Sequence, residues 1–67
     1  MIKGYKNLSE SDKALFNAFC ANYIAANGSD IEIVFTSVKR QKHCLRVDML
    51  KNNRATYQEV FSEKSWG

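Results

Sequence analysis

The chain has no proline, only three glycines, two cysteines and a single histidine in 67 residues, and each scarcity removes a class of molecule. Without proline, repeats or low-complexity tracts there is no linker, which predicts one small domain over residues 1–67. Gly4, Gly28 and Gly67 are scattered, so no glycine-rich loop is present to cradle a phosphate. Cys20 and Cys44 form no C-x-x-C pair. His43 and Cys44 are neighbours in a strand-like run and point to opposite faces, which excludes them both as a shared zinc site and as a nucleophile–base pair. No metal or cofactor is expected. The first six residues, Met1–Lys6, lack the apolar stretch of a secretion signal, and no apolar run is long enough to span a bilayer. These features predict a cytoplasmic protein with two free thiols and no membrane contact.

Ten Lys and Arg against seven Asp and Glu leave a formal charge of +3, with a pI near 9.0. That excess is modest for a dedicated nucleic-acid binder, so clustering carries more information than the total. Sixty-seven residues also bury only about 60% of the surface exposed in the unfolded chain, so outside help from oligomerisation or a fixed partner is expected.

Ser9 is a good N-cap, with Glu10 and Asp12 placed to complement the positive end of a helix dipole, and Asn27-Gly28 is a C-terminal stop. The spacing predicts a helix over Ser9–Asn27. Leu15, Phe16, Phe19, Cys20 and Tyr23 fall on one wide arc. Ala14, Ala18, Ala21 and Ala25 fall on a second, and only Lys13, Asn17 and Asn22 interrupt the two along the body of the helix. The alanines read either as good helix formers left at the surface or as a flat strip for close approach by a second helix. The second reading makes them a candidate homodimer interface.

Beyond Gly28 the apolar period becomes two, which predicts strands over Ile31–Val38, His43–Leu50 and Ala55–Phe61. Asn52 and Asn53 suit a tight turn between the last two. A two-residue turn sets Arg46 opposite Glu59, whereas a three-residue turn pairs Met49 with Tyr57 and Leu45 with Phe61. The apolar pattern favours the three-residue turn. The predicted fold class is α+β, one N-terminal helix packed on a three-stranded antiparallel meander (α-β-β-β). Its core is expected to hold Leu15, Phe16, Phe19, Tyr23, Ile31, Ile33, Phe35, Leu45, Val47 and Met49. Val34, Thr36, Val38, Cys44, Arg46, Asp48, Thr56, Gln58 and Val60 are expected on the outer face, and the tail after Phe61 reads as polar apart from Trp66. The order helix-strand-strand-strand resembles the first four elements of a double-stranded-RNA-binding domain. The resemblance stops at Phe61, after which no second helix with a lysine cluster follows.

The first hairpin is the strongest functional signal. Lys39, Arg40, Lys42 and Arg46 lie within eight positions, with His43 among them, and Lys51 and Arg54 form a second basic cluster at the other end of the sheet. A basic two-stranded tip suits the phosphates of a nucleic acid or the surface of an acidic or nucleic-acid-handling protein. The plainer reading is a solvated turn guarded by lysines. The expectation is a small, non-catalytic binding protein with nucleic acid or such a protein as partner. The alternative is a protein-interaction module or a small inhibitor of the phage or plasmid type, binding through its apolar helix or outer sheet face.

Overall fold

Helix α1 (Glu10–Asn27) begins and ends where its capping residues dictate. Ser9 Oγ accepts from the Asp12 amide at 3.1 Å, satisfying one of the free donors of the first turn. Gly28 takes φ of +85°, and its N–H donates to Ile24 O at 3.2 Å. The computed structural model describes residues 2–67. In it α1 is followed by an antiparallel sheet of four strands in sequence order: β1 (Ile33–Arg40), β2 (Leu45–Lys51), β3 (Arg54–Ser62) and β4 (Ser65–Trp66). The α+β class and the helix-then-meander order are those read from the sequence.

The sheet departs from expectation in its details. β1 starts two residues later and runs through Arg40, so Lys39 and Arg40 belong to a strand rather than to the hairpin tip. The tail turns back as β4, pairing Trp66 with Val60 and placing the indole edge-on to Phe19 (5.3 Å) and Tyr23 (5.7 Å). At the opposite edge Lys3 makes a parallel bridge to β1, its N–H donating to Thr36 O (3.0 Å) and its carbonyl accepting from Val38 N (2.9 Å). Gly4 permits this approach. Its φ is +88°, and a Cβ there would stand 2.2 Å from Val38 O.

The β2–β3 turn has two residues, not three. Asn52 (φ 52°) and Asn53 (φ 66°) both adopt the left-handed conformation that matches the twist of a tight hairpin. The pairing is therefore Leu45–Val60, Arg46–Glu59 and Met49–Thr56, with neither Met49–Tyr57 nor Leu45–Phe61. Val60 moves inside and is fully buried, while Phe61 remains 54% exposed. Gln58 also turns toward the helix, where its Nε2 donates to the Tyr23 hydroxyl at 3.4 Å, so its amide does not oppose this register.

A bulge in β1 makes the second correction. Phe35 pairs with Met49 but Ser37 pairs with Asp48, leaving Thr36 as the extra residue. Side chains before and after it alternate out of step, so Val38 joins Ile33 and Phe35 on the helix side. Val38 and Val60 are thus core residues, and Thr56 and Gln58 lie on the same strand face as Val60. Cys44 is buried in the hairpin loop. The core comprises Leu8, Phe16, Phe19, Tyr23, Val38, Leu45, Val47, Met49 and Val60. Leu15, Ile33 and Phe35 pack against it half-buried, and Ile31 stands apart from it.

Candidate anion-binding groove

The bulge at Thr36 separates the two basic residues at the end of β1. Arg40 falls on the helix side, where it grips Asp12 of α1: Nε donates to Oδ2 at 3.0 Å and Nη2 donates to Oδ1. This two-pronged pair is the strongest ion-pair geometry available to a carboxylate. The Arg40 guanidinium holds the Asp12 carboxyl below its ordinary range, with Ser9 adding to the effect and partial burial opposing it. Arg40 is therefore a structural tie before it is a ligand contact, although its side chain remains 44% exposed.

Lys39 takes the opposite side, facing Arg46 across the β1–β2 pair. Like charges directly opposite on neighbouring strands destabilise a sheet, so this placement has a local cost that a bound anion would offset. Arg46 is partly compensated, its Nε lying 3.3 Å from Asp48 Oδ1, and its guanidinium covers the Tyr57 ring at 4.0 Å from the centroid. Asp48 also accepts from Ser37 Oγ at 2.8 Å.

Between the N-terminal segment and β1 runs a groove of about 720 Å³, its walls carrying Lys3, Lys39, Arg40 and Arg46. Its single acid is Asp48, and Ser37, Asn7 and Gln41 add hydrogen-bonding groups. Arg40 is held by Asp12 and Arg46 by Asp48, whereas Lys3 and Lys39 form no ion pair among the described residues. The uncompensated positive charge of the groove is thus carried by those two lysines. Lys42 and His43 are exposed in the adjoining loop, which is closed by a 2.8 Å bond from Gln41 N to Cys44 O.

The remaining candidates are dispersed. Lys51 lies against α1, with Nζ 3.4 Å from the Tyr23 hydroxyl and 5.4 Å from the ring centroid, and Arg54 is exposed at the far turn. They flank the Asn52-Asn53 turn, away from the groove. Ala14, Ala21 and Ala25 are exposed and Ala18 is half-buried, with Ile24 46% exposed on the same side of the helix. His43 is exposed and Cys44 buried, and both lie in the loop before β2, which starts at Leu45 rather than at the expected His43. Burial pushes the Cys20 thiol up to about 12, keeping it protonated and unreactive near neutral pH. No group of three or more His, Cys, Asp or Glu converges as a metal site among the described residues. Nor is any described helix long and apolar enough to cross a membrane.

Sequence reasoning missed Lys3 and Asn7 because they reach the groove through a bridge between segments over thirty residues apart. Gly4 was the available local sign, being the residue whose left-handed turn brings Lys3 against β1. Compared with family models, curated proteins and solved structures, the chain matches none.

Proposed function

We propose that this chain is a non-catalytic binding protein that takes the phosphate backbone of a nucleic acid into the groove between its N-terminal segment and β1. The observation that carries the reading is the convergence of Lys3 and Lys39, neither in an ion pair among the described residues, with Arg46 and the partly exposed Arg40 on the walls of one groove. Lys42 extends the positive track around the hairpin loop. Two free thiols suit a reducing cytosol as its place of action.

Titration of labelled oligonucleotides against salt tests this reading. Log affinity should fall linearly with log salt, and Lys3→Gln and Lys39→Gln should each weaken binding across all sequences while reducing the slope by about one unit. Arg40 is left unchanged, because its replacement would also release Asp12. A partner bound with shallow salt dependence and no competition from nucleic acid would instead identify an acidic protein surface. Wild-type affinity in the double lysine variant would reduce the groove to a solvated edge.

A second reading rests on the uncovered side of α1. Ile24, 46% exposed among the exposed Ala14, Ala21 and Ala25, gives an apolar strip suited to a second copy of the chain or to a protein target. Sedimentation at micromolar concentration tests it: a dimer that Ile24→Glu dissociates supports the strip, and a stable monomer removes the homodimer.

A further inference from the structure

The outer face of the sheet carries flat side chains that folding does not use. Tyr57 is 48% exposed and Phe61 54% exposed, and both project from β3 away from the helix. The Arg46 guanidinium lies over the Tyr57 ring at 4.0 Å from its centroid, and both side chains keep a large part of their surface in solvent, the Arg46 side chain 42% exposed. Phe61 follows Val60, the partner of Leu45, and so stands at the end of β3 nearest the β1–β2 hairpin loop. The backbone irregularity between Val60 and Ser62 falls at Phe61, and bulges commonly re-aim a side chain in this way. Four residues apart on one strand face, Tyr57 and Phe61 are separated by roughly 13 Å.

The charges on this face argue against a duplex. Lys39 lies at its β1 edge beside the groove, but Asp48 and Glu59 stand in its interior next to Arg46. A double helix presents two phosphate chains, one of which would be pressed over those carboxylates. A single strand would avoid the conflict, with its phosphates along the Lys3–Lys39 edge and its bases turned inward over Arg46–Tyr57 and Phe61. There the carboxylates can accept base N–H groups. Every base has a stackable face, so this arrangement is tolerant of sequence.

We propose that the ligand of the basic groove is single-stranded nucleic acid, and that the Arg46–Tyr57 layer and Phe61 are its base-stacking surfaces. The inference rests on the phosphate-binding reading of the groove and adds the class of ligand and the second half of the site.

The test uses the full chain with a labelled 12-nucleotide oligothymidine, a 12-nucleotide oligouridine and a mixed-sequence duplex of the same length, each titrated over one shared series of salt concentrations. Both single strands should bind more tightly than the duplex. Tyr57→Leu and Phe61→Leu retain an apolar side chain but remove the flat face. Each should weaken single-strand binding by about 5- to 150-fold with the salt slope unchanged, while Tyr57→Phe should remain close to wild type. Circular dichroism on the variants separates lost binding from lost fold, and Phe61→Leu, at an exposed site, provides an independent readout should Tyr57→Leu unfold. If both leucine variants bind as wild type does while Lys39→Gln is impaired, the stacking surface is overturned and the basic groove stands. A duplex bound as tightly as the single strands likewise overturns the inference. No binding to any of the three at low salt overturns both.

Discussion

Arg40 and Asp12 join the last residue of β1 to the first turn of α1 through two parallel hydrogen bonds, Nε to Oδ2 at 3.0 Å and Nη2 to Oδ1. The pair fixes one end of the helix on the sheet beside the groove. It also makes the junction sensitive to acid. Hydrogen bonding to Arg40 holds the Asp12 carboxyl below its ordinary value of 3.8. A carboxyl depressed on folding stabilises the fold above its unfolded value, and that contribution disappears as pH falls through the lower folded value. Thermal melts between pH 6 and pH 2 should therefore show Asp12→Asn less stable than wild type at pH 6, with the difference narrowing below about pH 4. A difference that stays constant over the whole range would show that the bridge adds no pH-dependent stability.

Phe19 is fully buried and meets three aromatic rings from three other places in the chain: Tyr23 at 5.2 Å, Trp66 at 5.3 Å and Phe35 at 6.1 Å. Phe19→Ala is expected to cost roughly 3–5 kcal/mol, a large share of the stability of so small a domain. Urea denaturation should find the variant largely unfolded or with a greatly lowered midpoint. A loss below about 1 kcal/mol would contradict this packing, since complete aromatic truncation in a core costs more.

Gly4→Ala is expected to release the N-terminal bridge while leaving the sheet folded. An alanine at φ of +88° carries a steric cost of about 1–2 kcal/mol, and its Cβ would meet the Val38 carbonyl. Hydrogen exchange at the Val38 amide, which donates to Lys3 O, should accelerate, whereas exchange in the β2–β3 ladder should not. On the proposed phosphate-binding function, oligonucleotide affinity should fall as expected for Lys3→Gln, because the lysine no longer reaches the groove. Unchanged exchange at Val38 would count against the bridge.

The Asn52-Asn53 turn offers a test of register. Valine at position 53 would place a β-branched side chain at φ near 66°, costing on the order of 1–2 kcal/mol. Asn53→Gly creates the preferred Asn-Gly pair for this turn and should be neutral or slightly stabilising. Equal tolerance of valine and glycine in chemical denaturation would exclude a two-residue turn with positive φ at both positions.

Local chemistry made much of the architecture legible. Ser9 and Gly28 bound the helix because a hydroxyl oxygen caps the first turn and a glycine takes the positive φ that turns the chain out of the last. Period-two runs announced three strands, and clustered cations marked the first hairpin. The bulge at Thr36, the choice of turn and the strand formed by Ser65 and Trp66 were decided by tertiary structure. Each depends on which side chains the rest of the molecule can cover. Val38 and Val60 are inside because helix α1 and the Trp66 side chain cover that side of the sheet, while Tyr57 and Phe61 are left outside. The same shift sent Arg40 to Asp12 and left Lys39 facing Arg46, so a cluster that reads as uniform in the sequence divides into a structural tie and a free charge. Lys3 joined that free charge because backbone hydrogen bonds to Thr36 and Val38, formed across more than thirty residues, hold it there. A one-residue change in strand pairing turns side chains to the other face, and only contacts distant in sequence select among such pairings.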